Sequence, residues 1–128
     1  MHSDNQNKKT VAVFLNNDII LSAVKKTLEG RGYQVCQDIQ ACAEADFAFI
    51  GFYFAMLGIL RQVRRINLSL PLILITSSEH EWRDSLWSMK DFYDVIKVDG
   101  HNEIEICQKI EQWFCEGSGN FLSRKSKI

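Results

Sequence analysis

The sequence predicts an α/β fold, one five-stranded parallel sheet wound on both faces by helices. Three observations carry that prediction. Strand-length apolar runs recur five times along the chain, and segments of helical spacing alternate with them. The runs at 10–15, 47–50 and 72–76 are almost wholly apolar, as parallel strands covered on both faces are. At 128 residues the chain is long enough for one core and too short for two domains. Right-handed crossovers then leave few layouts, and the doubly wound order 2-1-3-4-5 is the natural one.

Each element follows from local chemistry. Residues 1–8 are polar and read as a disordered leader, with no apolar signal core that would direct export. Thr10 to Leu15 is a buried strand, broken by Asn16-Asn17-Asp18, which supplies a helix N-cap. Ile20, Val24 and Leu28 recur at helical spacing, and Gly30 and Gly32 end that helix. Tyr33 to Gln37 is the second strand. Only Asp38 to Ala45 separates it from the third, room for about two helical turns. The third strand is Phe47 to Ile50.

A helix is predicted from Ala55 to Asn67, with Met56, Leu60 and Val63 inward and Arg61, Arg64 and Arg65 near its C-terminal end, where they suit the helix dipole. Pro71 opens the strand Leu72 to Thr76. Ser77-Ser78 before Glu79 and Glu81 starts a helix that runs to Met89. Tyr93 to Val98 is the fifth strand. Asn102 caps a last helix whose inner face holds Ile106, Ile110, Trp113 and Phe114. The domain is expected over 9–116. Residues 117–128 form a polar, basic tail that reads as a linker into a longer protein.

Composition narrows the function classes. A net charge of −1 gives no general drive toward nucleic acid or anionic membrane. The apolar stretch Phe47 to Leu60 is short for a bilayer span and is interrupted by Gly51 and Gly58. Cys36, Cys42, Cys107 and Cys115 form no CxxC pair and no metal spacing, so they read as reduced packing thiols of a cytoplasmic protein. Glu79-His80-Glu81 reads as a solvated helix start, because adjacent helix residues do not face each other. No glycine-rich phosphate loop and no cysteine nucleophile follow the first strand.

Ala45-Asp46-Phe47-Ala48-Phe49-Ile50-Gly51, Leu70-Pro71-Leu72-Ile73-Leu74-Ile75-Thr76-Ser77 and Asp94-Val95-Ile96-Lys97 together resemble the third, fourth and fifth strands of the receiver domain of bacterial response regulators, a flavodoxin-like layout. Leu28-Glu29-Gly30-Arg31-Gly32-Tyr33-Gln34-Val35 resembles the end of that family's first helix and its second strand. The resemblance spans Lys9 to Phe114. It implies that Thr76 is the phosphate-sensing hydroxyl, that Lys97 is the phosphate-binding lysine, and that Gly51 stands where the family has its phosphoacceptor aspartate.

The departures from that pattern are as informative as the match. The family's acidic pair, which holds Mg²⁺, falls on Leu15-Asn16 or Asn16-Asn17 according to register. Asp18 is the nearby carboxylate and reads as a helix cap. Val98 replaces a proline after the lysine, the second helix is shortened, and Phe52-Tyr53-Phe54-Ala55-Met56 replaces a Met-Pro stretch. Phosphotransfer needs a carboxylate nucleophile and a hard divalent cation. Gly51, Asn16 and Asn17 supply neither, and the aromatic run is expected to fill the emptied space. Lys97 reads first as a lysine paired with Asp18 or a backbone carbonyl.

The expectation is a pseudo-receiver: no enzyme, no cofactor, no metal, and action through protein partners, either a second copy or an output domain. Trp82, Trp87 and Tyr93 surround the predicted fourth helix and fifth strand, and aromatic residues are enriched at interfaces. Lys90, Asp91, Asp94, Glu105 and Lys109 would add cross-subunit charge pairs that set register. For Trp82 and Trp87, core packing is an equal alternative; Trp113 reads as core. The tail Asn120-Phe121-Leu122-Ser123-Arg124-Lys125 resembles that of pseudo-receivers at the front of sigma-54-dependent transcription activators. The alternatives are a true phosphoacceptor or small flavodoxin-like enzyme using Asp18 or Ser77, and a stand-alone adaptor for a kinase or another receiver.

Overall fold

The computed structural model describes residues 9–51, 56–76, 93–99 and 101–118. Over them the chain runs β1 (Thr10–Phe14), α1 (Asp18–Gly30), β2 (Gln34–Cys36), a 3-10 turn (Ile39–Ala43), β3 (Phe47–Gly51), α2 (Met56–Ile66), β4 (Leu72–Thr76), β5 (Asp94–Lys97), α3 (Glu103–Trp113) and a closing π turn (Phe114–Ser118). The five strands form one parallel sheet in the order β2-β1-β3-β4-β5. This is the predicted doubly wound topology, with three α-helices among the described residues. The predicted helix from Ser77 to Met89 lies outside them.

Strand alternation sorts the core into two halves, because successive side chains point to opposite faces. Val11, Val13, Phe47, Phe49, Ile73 and Ile75 meet α1, α3 and Phe114 on one face. Ala12, Phe14, Ala48, Ile50, Leu72 and Leu74 meet Met56, Leu60 and Val63 of α2 and Cys42 of the 3-10 turn on the other. All five residues of β3 and of β4 are buried, which is why their sequences carry no polar alternation.

Three local details position the strand ends. Asn17, not Asp18, is the N-cap of α1: its Oδ1 accepts from the backbone N–H groups of Ile19 and Ile20 at 2.9 and 3.0 Å. The cap reading for Asp18 is thereby corrected; its side chain lies exposed in the first turn. Helix α1 closes in a Schellman motif. Tyr33 N–H donates to Leu28 O, Gly32 N–H donates to Glu29 O, and Gly32 takes a φ of 90°, which glycine adopts without penalty. Tyr33 is thus spent on the cap, so β2 begins one residue later than expected. At the same amino edge of the sheet, Asp46 Oδ2 accepts from Thr10 N–H at 3.1 Å and Asp46 N–H donates to Thr10 O at 2.8 Å, which registers β3 against β1.

Candidate functional site

The site is the carboxyl edge of the sheet. Ligands of open α/β sheets bind there, where the strand order reverses. In this chain the reversal falls between β1 and β3. The Leu15–Asn17 segment leaves one side of it and Gly51 ends the other.

Pairing registers locate the residues. Phe14 pairs with Ile50, Gly51 with Ile75, Ile75 with Ile96, and Thr76 with Lys97. Gly51 is therefore still a ladder residue, extending β3 one position beyond the expected end. It stands level with Ile75 and Ile96, one residue short of the Thr76–Lys97 rung. By alternation it shares the face of Phe47 and Phe49. Thr76 and Lys97 share the opposite face with Leu74 and Val95. Thr76 is buried, Lys97 exposed, Asn16 exposed and Asn17 half-buried. The topology brings Asn16, Asn17, Gly51, Thr76 and Lys97 to one edge of the sheet.

The chemistry of that edge is neutral where a divalent cation would need charge. Magnesium wants hard, preferably anionic oxygens in near-octahedral array. Asn16 and Asn17 carry only amide oxygens, and the cap of α1 already occupies Asn17 Oδ1. Among the described residues no group of three or more His, Cys, Asp or Glu side chains comes together. The donor set does not fit the metal that the fold family implies. The expected filling of this space by Phe52, Tyr53 and Phe54 falls outside the described residues, as does Ser77.

The proposed contact face is changed by one hydrogen bond. Asp94 Oδ2 accepts from Trp113 Nε1 at 2.8 Å, and Asp94 Oδ1 accepts from Val95 N–H at 2.8 Å. Its carboxylate is thus an internal tie between β5 and α3. Trp113 is buried, as expected of a core residue. Tyr93 and Lys109 are exposed and Glu105 is half-buried. Trp82, Trp87, Lys90 and Asp91 lie outside the described residues.

Several ties were not legible from local pattern. Glu103 accepts from Ser22 Oγ at 3.0 Å and pairs with Lys26 Nζ at 2.7 Å. Arg31 pairs with Glu111 at 2.6 Å and lies over the Phe114 ring at 4.5 Å. Each joins α1 or its C-cap to the last helix or its closing turn across about 80 residues of sequence. No local signal finds such pairs; opposite charges on two helices predicted to be neighbours would be the weak one available. Elsewhere, burial pushes the Cys42 thiol up to about 11, with the nearby Asp38 adding to it. Tyr33 is raised by burial first and by Asp46 second.

No protein-family model and no curated protein matches the chain. Solved structures do match. A CheY-like response regulator receiver domain from Methanospirillum hungatei JF-1 shares 15% identity over 89% of this chain and 99% of its own, with a TM-score of 0.60. A phosphorylated cyanobacterial phytochrome response regulator shares 12% over 87% of this chain and 96% of its own, with a TM-score of 0.64. The receiver domain of a sensor histidine kinase from Pseudomonas aeruginosa PAO1, with magnesium in its active-site cleft, shares 12% over 85% and 99%, with a TM-score of 0.61. At these identities the likeness establishes the fold alone, which is that of CheY-like receiver domains.

Proposed function

We propose that the chain is a receiver-like signalling domain that works without phosphoryl transfer, by binding protein. The carrying observation is Gly51. It ends β3 at the switch point, in register with Ile75, and brings no carboxylate to the position where a receiver's nucleophile would stand. Asn17 supports the same conclusion, since its amide is committed to backbone donors and offers no charge. At that edge Gly51, Asn16 and Asn17 offer neither a carboxylate nucleophile nor an anionic cation ligand, while the Thr76–Lys97 rung persists.

What remains is a domain whose state is set by partners acting on populations. It would self-associate or control an attached output domain, in the cytoplasm, without contacting nucleic acid or membrane itself. No helix among the described residues is long and apolar enough to cross a membrane. The tail of residues 120–125 supports placement at the front of a sigma-54-dependent activator, where the output would be transcription.

Incubation with acetyl phosphate and Mg²⁺, read by intact mass, tests this reading. No stable phosphoryl adduct is expected in the natural chain. Gly51→Asp alone is expected to stay unmodified as well, because it restores the nucleophile without the cation site. A stable adduct on the natural chain would establish the alternative, a true phosphoacceptor using Asp18 or Ser77.

A further inference from the structure

The binding proposal leaves open where a partner docks, and the outward side of α2 has features that no core or strand-edge role absorbs. Met56, Leu60 and Val63 are buried, so the inner side of α2 is fully used. Outside stand Leu57, Arg61, Arg65 and Leu68, spaced by four, four and three residues along one stripe about 16 Å long. Leu57 is 44% exposed and Leu68 is 81% exposed, so two leucines flank two arginines in solvent.

Among the described residues Arg61 and Arg65 have no internal employment. No Asp or Glu occurs anywhere from Phe47 to Ser78. Among the described residues Arg61 and Arg65 have no ion-pair partner. Arg64 provides the contrast. Its Nη1 donates to Asn67 O at 3.3 Å and Leu70 O at 2.8 Å, closing the end of the helix. The turn that presents Leu68 is held as well: Asn67 Nδ2 donates to Cys42 O at 3.0 Å, and Asn67 Oδ1 accepts from Ser69 N–H at 3.3 Å. Leu68 is therefore displayed from a fastened turn, and little ordering cost remains to be met on binding.

We infer that this stripe docks an acidic segment of another polypeptide, one presenting two carboxylates about a helical turn apart between apolar side chains. The inference deepens the binding proposal by naming a surface and a partner chemistry. Charge complementarity selects the carboxylates, and arginine in place of lysine suits their bidentate geometry. The flanking leucines select against nucleic acid, whose phosphates would leave them uncovered. They are too few for a membrane surface, which wants a broad apolar face. The last helix of a second copy does not offer such a pair. On α3 and its closing turn, Glu103 is paired with Lys26, Glu111 is paired with Arg31, and Glu116 accepts from Gln112, which leaves Glu105 alone.

The test is a ¹⁵N NMR titration of the full chain with a short synthetic helical peptide carrying two glutamates one turn apart between leucines. A glutamine-for-glutamate peptide serves as control. Saturable shifts confined to the span from Leu57 to Leu68 are expected, with binding weakened about tenfold for the glutamine peptide and for Arg61→Glu/Arg65→Glu. Leu68→Ser, which keeps the charges, should weaken it too. Four results would overturn the inference: no shifts, equal binding of the glutamine peptide, equal shifts of the same residues by duplex DNA, or sedimentation showing a dimer that Arg61→Glu/Arg65→Glu dissolves. None of them bears on the phosphoryl assay, so the two proposals fail separately.

Discussion

The two faces of the sheet are built from the same strands and differ in almost everything else. The face toward α1 and α3 holds Tyr33, Phe47, Phe49, Trp113 and Phe114, with neighbouring ring centroids 5.1 to 6.1 Å apart. It is also laced by Lys26–Glu103, Arg31–Glu111 and Asp94–Trp113. The face toward α2 is mostly aliphatic, with Phe14 the aromatic ring of its described core, and its described cover is one helix and a short 3-10 turn. Aromatic packing with polar cross-ties fixes two helices in one arrangement. On the side of α2 the side-chain ties among the described residues gather at the helix end, through Arg64 and Asn67, and Arg61 and Arg65 make no ion pair there. One side of the molecule is organised as a frame and the other retains an uncommitted surface.

The sharpest way to break that contrast is to cut one residue from each face. Phe49→Ala removes a fully buried ring from the aromatic cluster and is expected to cost about 3–5 kcal/mol. Leu60→Ala, at 5% exposure on the inner side of α2, should cost less, about 2–3 kcal/mol, because the helix can settle onto small neighbours such as Ala12 and Ala48. Urea unfolding of both variants measures the difference. Equal costs would mean that the faces share one degree of rigidity.

How far such a contrast can be read from sequence depends on the range of the interactions. Strand β4 was legible to the residue, because Pro71 and Thr76 bound an unbroken β-branched and leucine run. The cap at Asn102 was legible for the same local reason: its side chain serves a backbone N–H three residues on. Asn17 was only half legible. Three consecutive residues of 16–18 can cap a helix, and backbone geometry alone chooses among them. The carboxyl-edge site followed from topology once the strands were in order, although Gly51 proved to be inside the ladder. The tie from Asp94 to Trp113 was not legible, since the two lie 19 residues apart and no local pattern joins them. Sequence pattern reports periodicity and caps, while polar ties between elements are decided by tertiary placement.

Asp94 also gives the next test. Asp94→Ala strands the Trp113 N–H and cuts the tie between β5 and α3. A hydrogen bond to a charged group is worth about 1.5–3 kcal/mol, so a lower urea midpoint of that order is expected, with sedimentation unchanged. The opposite outcome, unaltered stability with an altered oligomeric state, would place Asp94 at the interface and weaken the contrast between the faces.

The smallest effect expected is the most diagnostic of how the frame is laced. Glu103 is held below its ordinary value of 4.5, first by the hydrogen bond from Lys26 and then by that from Ser22. Lys26 is raised above 10.5, chiefly by the same hydrogen bond with Glu103. A lowered carboxylate contributes stability that is fully present above its unfolded value and is lost as pH falls through the folded one. A raised lysine contributes stability that is present below 10.5 and is lost as pH rises through its folded value. The pair therefore supports the fold across the neutral range and fades at both extremes. Glu103→Gln keeps the hydrogen-bonding shape and removes the charge. The gap in urea midpoint between it and the natural chain should be small at neutral pH, close as pH drops below 4.5, and shrink in high salt, since exposed pairs are screened. A gap that ignores both pH and salt would show that α1 and α3 are held by packing alone. The aromatic cluster would then be the whole frame and the ion pairs incidental to it.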